Sequence, residues 1–85
     1  MSYGNNQITN IYKTKDLYES AFLYASDLSL VEVQRDGRIV YFIFDDFDKC
    51  SQLKNEYWSY KAIIDPKKYS DAVRNLKDLI YAEQR

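Results

Sequence analysis

The sequence LSLVEVQRDGRIVYFIFDD, residues 28–46, decides the fold because it predicts a β-hairpin that contains the most apolar strand of the chain. Asp36-Gly37 lies between two apolar runs, and an Asp-Gly pair in that position favours a two-residue type I′ turn. With this turn, Val33 would pair with Val40. We therefore expect two adjacent antiparallel strands, residues 28–35 and 38–44.

The two faces of this hairpin differ in character, because side chains alternate between the faces along a strand. One face is apolar and is expected to cover the core; it comprises Val31, Val33, Val40, Phe42 and Phe44. The other face is mixed; it comprises Leu30, Glu32, Gln34, Ile39, Tyr41 and Ile43. Strand 38–44 is apolar on both faces, which predicts an interior position in the sheet. Strand 28–35 is apolar mainly on one face and fits a sheet edge.

A first helix is predicted from Asp16, with Thr14 as the alternative N-cap. Asp at the N-cap with Glu19 three residues later resembles a capping box. Apolar residues then recur at helical spacing and predict one buried stripe: Leu17, Tyr18, Ala21, Phe22 and Ala25.

Two more helices follow the hairpin. Asp45 or Asp46 is expected to cap the second, which should end near residues 59–60. Its predicted buried residues are Phe47, Cys50, Leu53, Tyr57 and Trp58. Asp65-Pro66 marks the start of the third helix, because Asp is a preferred N-cap and Pro is favoured at the first helical position. This helix should end at about Ala82.

The complete pattern predicts an α+β fold in the order β-α-β-β-α-β-α. Segments 8–13 and 61–64 are expected to form the first and fourth strands. The first six elements match a ferredoxin-like split βαβ sheet in the strand order 4-1-3-2, with a C-terminal helix added. The alternative is a β-hairpin or three-stranded sheet packed by three helices. Residues 1–7 are predicted to form a disordered tail, and residues 8–85 a single domain.

Composition narrows the functional classes. The 85 residues carry a net charge of −1 and include one cysteine. A protein built to hold nucleic-acid phosphates is usually basic, and a lone cysteine cannot form an internal disulfide. The chain lacks an apolar run of membrane-spanning length, and its first ten residues lack a signal-peptide pattern. We expect a cytoplasmic protein that does not enter membranes.

Few residues suggest catalysis or ligand binding. The cluster Asp45, Asp46 and Asp48 could hold Mg²⁺ or Ca²⁺, but helix capping explains it without any metal. Cys50 falls on a buried helix stripe, and the chain has no histidine to activate it. With only two glycines, the chain offers no glycine-rich phosphate loop. We therefore expect no catalytic residue, no metal, no cofactor and no enzymatic activity.

The nine tyrosines are the unusual feature of the composition, because exposed tyrosine is enriched where proteins bind one another. We expect a small non-enzymatic protein-interaction module that binds a protein partner or forms a homodimer. Its contact surface would be the mixed face, namely Leu30, Glu32, Ile39, Tyr41 and Ile43, or the unpaired edge of strand 28–35.

The alternative function is binding of single-stranded nucleic acid on the same face. Residues 38–44 are similar to the RNP1 strand of RNA-recognition domains, where aromatic side chains on an open sheet stack on bases. The glycines of that motif are absent here. Nucleic acid is therefore a possible partner that the sequence does not favour.

Several short motifs resemble those of a family of short uncharacterised bacterial and phage domains. They are YKTKDL at 12–17, VYFIF at 40–44, Asp65-Pro66 and LKDL at 76–79. The resemblance covers residues 12–81. It implies a cytoplasmic protein of a prokaryote, phage or mobile element, and it carries no assigned activity, cofactor or site residue.

Overall fold

The computed structural model describes residues 10–83, which form a three-stranded antiparallel sheet and three helices. The elements are β1 (Ile11–Thr14), α1 (Leu17–Ala25), β2 (Leu30–Asp36), β3 (Ile39–Asp45), α2 (Phe47–Trp58) and α3 (Pro66–Glu83). β3 lies between β1 and β2. The predicted α+β class is confirmed, together with the interior position of strand 38–44 and the edge position of β2. The predicted tail, residues 1–7, lies outside the described residues.

All three helices pack on one face of the sheet. Each contributes side chains to a single core cluster that also contains Phe42 and Phe44 of β3. The helical members of this cluster are Ala21, Leu23 and Ala25 of α1, Cys50 of α2, and Ala72 and Leu76 of α3. The opposite face of the sheet is therefore not covered by any helix of residues 10–83.

No strand forms at residues 61–64, so the sheet of the described residues has three strands rather than four. Helix termini occupy both ends of this short connection. Tyr60 belongs to the C-terminus of α2, and Asp65 accepts hydrogen bonds from the first backbone N–H groups of α3. Between them, Ile64 packs against the core whereas Ile63 is 92% exposed. The observed fold is the three-stranded alternative.

The hairpin turn is shifted by one residue from the prediction. Asp36 pairs with Ile39, so the two turn residues are Gly37 and Arg38. A type I′ turn needs positive φ at both central residues, whereas a type II′ turn needs it only at the first. Here Gly37 has φ +63° and Arg38 does not have a positive φ. The predicted Asp36-Gly37 type I′ turn is wrong: the turn residues are Gly37 and Arg38, and the glycine supplies the positive φ of the first position.

The new turn changes the pairing but keeps most side chains on their predicted faces. Val33 pairs with Phe42 instead of Val40, a move of two residues that preserves the alternation. A β-bulge then alters the start of β2, since Leu30 pairs with Phe44 and Glu32 with the next residue of β3.

Val31 is the extra residue of this bulge. It is 58% exposed, whereas Leu30 packs against the core. The predicted faces of these two residues are therefore exchanged. The cause is the bulge, which breaks the two-residue repeat of the strand.

α1 is buried on more sides than its predicted stripe, because the sheet, α2 and α3 all pack around it. Its buried residues include the polar Glu19 and Ser20 as well as apolar neighbours. Asp16 is its N-cap, as predicted, and accepts a hydrogen bond of 2.8 Å from the Glu19 N–H. Thr14 accepts a hydrogen bond of 3.2 Å from the Asp16 N–H. In a capping box the glutamate side chain accepts the hydrogen bond from the N-cap N–H. Here the Thr14 hydroxyl accepts it instead of Glu19.

α1 and α2 both end in a Schellman motif, in which the residue after the C-cap adopts a left-handed conformation. These residues are Asp27, with φ 70°, and Tyr60, with φ 64°. In α2, the Lys61 N–H donates to the Glu56 carbonyl over 2.8 Å. Glycine normally fills this position, so a tyrosine there carries a conformational penalty.

Replacing Tyr60 by glycine should therefore stabilise the protein. The side chain is 97% exposed, so its removal loses little packing. Relief of the left-handed penalty exceeds the added chain entropy by about 0.5–1 kcal/mol. The free energy of unfolding, measured by urea denaturation, should rise by that amount. Ser59→Gly is the matched control: Ser59 has φ −99° and its hydroxyl donates to Asn55, so this change should lower stability.

Candidate functional site

The surface with the strongest claim to a function is the side of the sheet that faces away from the helices, which we call the open sheet face. Phe42 and Phe44 point toward the helices, so the alternate residues of β3 point away from them. Register places these side chains on the open sheet face: Ile11 and Lys13 of β1, Glu32, Gln34 and Asp36 of β2, and Ile39, Tyr41, Ile43 and Asp45 of β3.

The five predicted contact residues separate into three groups. Glu32, Ile39 and Tyr41 lie on the open sheet face and are at least partly exposed. Ile43 lies on the same face but is only 3% exposed, so it supports the surface from below. Leu30 lies on the helix-covered face because of the bulge and packs against the core, so its predicted place on the mixed face is wrong.

Lys13 is a member of this surface that sequence reasoning missed. It pairs with Ile43, and its Nζ lies 4.5 Å from the centroid of the Tyr41 ring. This is a cation–π arrangement, which attracts the ammonium group to the aromatic face. The signal could not be found in the sequence because the register of β1 on β3 was not predicted.

The edge of β2, the second predicted contact surface, carries features that protect a strand from pairing with another chain. The bulge at Val31 interrupts its regular backbone, and charged residues Glu32, Arg35 and Asp36 follow. Bulges and charges are devices that natural sheets use to discourage edge pairing. The open sheet face is therefore the better candidate of the two.

A second concentration of polar groups is buried beneath the helices. The Glu19 side chain is 4% exposed and accepts hydrogen bonds from the Tyr12 hydroxyl at 2.5 Å and the Trp58 indole N–H at 2.8 Å. Burial and the Glu19 carboxylate raise the pKa of Tyr12 far above its usual range. Each carboxylate oxygen has one donor, so this cluster joins β1, α1 and α2 as a structural link.

Two residues predicted to be buried on α2 are instead half-exposed: Phe47 and Trp58. Trp58 lies at the end of the helix, where its N–H reaches Glu19 while part of the ring remains in water. Phe47 lies at the first turn beside Tyr12, with ring centroids 6.0 Å apart. Helical spacing predicted the side of α2 on which Phe47 and Trp58 lie. It did not predict that the core fails to cover the two ends of the helix.

Cys50 is completely buried, as predicted, and its thiol lies 3.4 Å from the Asp45 carbonyl. Burial raises the pKa of the thiol to about 11, and the carboxylates of Asp46, Asp45 and Glu19 add to the effect. At neutral pH the sulfur is a protonated thiol, which is a poor nucleophile.

The carboxylate cluster at the start of α2 caps the helix, and this prediction is confirmed. Asp46 accepts a hydrogen bond of 3.1 Å from the Lys49 N–H, and Asp45 accepts one of 2.8 Å from the Asp46 N–H. Across residues 10–83, no group of three or more cysteine or carboxylate side chains is arranged to hold a metal ion.

The model of the domain of unknown function DUF5659 matches residues 9–82, so the chain belongs to that family. No curated protein matches the chain. No solved structure matches it either. No helix within residues 10–83 is long and apolar enough to cross a membrane.

Removing the indole donor should test the buried link. In Trp58→Phe, one oxygen of the buried Glu19 carboxylate loses its hydrogen bond, which should destabilise the protein by about 1–3 kcal/mol. Chemical denaturation followed by circular dichroism would measure this loss. Tyr81→Phe, at an exposed position on α3, should leave stability unchanged. Equal stability of both variants would mean that the link contributes nothing.

The raised pKa of Cys50 should make stability fall at alkaline pH. The folded value of about 11 exceeds the ordinary 9.0, so the contribution is complete below pH 9 and is lost as pH rises through 11. The free energy of unfolding should decline by at most about 1.4 kcal/mol per pH unit. Between pH 9 and 10, Cys50→Ala should decline less steeply than the native chain; its remaining decline comes from Tyr12 and Tyr69, because burial raises the pKa of both hydroxyls above the ordinary value of 10.0. An equal decline in both proteins would contradict this assignment.

Proposed function

We propose that this member of the DUF5659 family is a non-enzymatic protein-interaction module that contacts another protein chain through the open sheet face. One observation carries the proposal. An antiparallel sheet that faces water normally shows polar residues on that side, yet β3 directs Ile39 and Tyr41, both at least partly exposed, to the side without helices.

The surface has the composition of an interaction site on a small scale. Tyr41 supplies a large side chain with few rotatable bonds, so it buries area at low entropic cost. Ile39 is partly exposed beside it, and Ile43 fills the space beneath. Lys13 and Glu32 form a charged rim at opposite edges of the sheet. An apolar centre with a polar rim is typical of protein interfaces.

The polar groups elsewhere favour a binding role over catalysis. Both oxygens of Glu19 accept hydrogen bonds, and the Cys50 thiol is buried and protonated at neutral pH. We propose that the protein acts without a cofactor. We also propose that it is a cytoplasmic accessory protein of a prokaryote, phage or mobile element, because its short motifs resemble those of a family from such sources.

Single-stranded nucleic acid is the second candidate partner, because Lys13 above the Tyr41 ring combines a cation with a stacking surface. Glu32, Asp36 and Asp45 share that face and would repel phosphates. If this candidate is correct, a mixed-sequence oligonucleotide should bind at low salt and dissociate steeply as salt is added. Sedimentation velocity would detect it, and a complete lack of binding at low salt would remove it.

Site-specific photo-crosslinking tests the proposed surface whatever the identity of the partner. A photoreactive side chain at Gln34, beside Tyr41 on the open sheet face, should form a covalent adduct with another protein chain in the cells that produce this protein. Tyr41→Ala in the same background should reduce the adduct yield by about tenfold, the loss expected from truncating a central aromatic contact.

Two matched controls make the result specific. The photoreactive side chain at Lys77, exposed on α3, should give no adduct. Tyr81→Ala, which removes a tyrosine from α3, should leave the adduct at Gln34 unchanged. Equal adducts from Gln34 and Lys77, or a yield insensitive to Tyr41→Ala, would overturn the proposed surface.

A further inference from the structure

The open sheet face carries opposite charges at its two edges. Lys13 of β1 pairs with Ile43 of β3, and Ile43 pairs with Glu32 of β2, so the three residues cross the sheet in one row. Lys13 and Glu32 are exposed, whereas Ile43 is buried between them. The face is therefore positive on the β1 side, negative on the β2 side and apolar along β3 from Ile39 to Ile43, with the exposed Asp45 at the end of that strand.

The two charged groups also lie at the same level along the strands. The Lys13 Nζ lies 4.5 Å from the Tyr41 ring centroid, and Glu32 Oε2 lies 3.4 Å from the Gln34 amide nitrogen. Tyr41 pairs directly with Gln34. Lys13 and Glu32 therefore both extend along the strands from the level of Ile43 toward the level of the Tyr41–Gln34 pair. Lys13 does so on the β1 side of β3, and Glu32 on the β2 side.

The geometry points to a second copy of this chain as the partner on the open sheet face, related by a twofold axis parallel to β3. Rotation about this axis exchanges the β1 and β2 sides, so Lys13 of each copy lies opposite Glu32 of the other. Ile39 and Tyr41 then lie against their own counterparts, and so does Asp45 at the end of the strand, which gives one like-charge contact beside the two opposite-charge pairs. An axis across the strands at the Ile43 row would place Lys13 against Lys13 and Glu32 against Glu32, so like-charge contacts would replace both opposite-charge pairs.

This inference rests on the proposed function and adds the identity and orientation of the partner. The contact is isologous, as in most dimers with twofold symmetry, and two packed antiparallel sheets with nearly aligned strands are a common arrangement. The Lys13–Glu32 contact occurs twice, so the two edges of the face are complementary to each other in charge, and the central strand from Ile39 to Ile43 in apolar pattern.

The size of the face sets the expected strength of the dimer. Three strands spaced about 4.8 Å apart, with a central strand of seven residues, give a footprint of about 300 Å² per copy. Stable complexes bury about 800 Å² per partner. The dimer should therefore be weak and exchange rapidly, with a dissociation constant on the order of 100 μM or higher.

Charge exchange tests the orientation of the two copies. Sedimentation velocity at low ionic strength, with the full chain at concentrations up to about 1 mM, should show dimer formation. Lys13→Glu and Glu32→Lys should each weaken the dimer by about tenfold or more, because like charges then face each other. The double variant should regain the original affinity within about threefold, since the pair is restored with its signs exchanged.

Lys77→Glu and Asp78→Lys are matched controls that make the same charge changes on exposed positions of α3. They should leave the dissociation constant unchanged. Circular dichroism would confirm that each variant is folded, and the two single variants are independent, so one unfolded variant does not remove the test. A double variant as weak as the single variants would overturn the proposed orientation.

The remaining outcomes separate this inference from the proposed function. A chain that stays monomeric up to about 1 mM, while Gln34 crosslinks to a different protein, overturns the dimer and supports the proposed surface. A dimer that ignores the charge changes and also ignores Tyr41→Ala overturns the dimer on this face, and the Gln34 crosslink then decides the proposed function by itself. A dimer that responds to Tyr41→Ala but not to the charge changes overturns the orientation alone.

Discussion

The buried carboxylate of Glu19 ties α1 and α2 to the first strand of the sheet. A charged or polar group inside a protein must find hydrogen-bond partners, because it has lost those of water. Tyr12 reaches it from β1 and Trp58 reaches it from the end of α2. Glu19 lies in the first turn of α1, so these two contacts fix the positions of three elements around one point.

The rest of the core can be understood from this arrangement. α1 is enclosed by the sheet and the other two helices, which concentrates the apolar side chains of all elements in one layer. α3 packs along α1 on the same side, with Ala72 and Leu76 in the core. Because every helix is used on that side, the second side of a small sheet is left to the strands themselves. The open sheet face therefore follows from how the core is built.

The sequence predicted features that depend on local chemistry. Asp16, Asp46 and Asp65 cap the three helices because a carboxylate satisfies backbone N–H groups whatever lies elsewhere. The sequence also predicted the central position of strand 38–44, because this strand is apolar on both faces. Features set by tertiary contacts could not be predicted. The bulge at Val31 exchanged the faces of two residues, and Glu19 left its expected capping role for partners far away in the sequence. Lys13 entered the site only through the pairing of β1.

The burial of Cys50 has a practical consequence for studies of this protein. Its sulfur is the only thiol in the chain, and it is both inaccessible and protonated near neutral pH. Maleimide reagents attack accessible thiolates, so the native chain should remain unmodified under gentle conditions. A cysteine introduced anywhere on the surface would then accept a fluorophore or spin label selectively. Distances between labelled molecules could be measured without altering the native core.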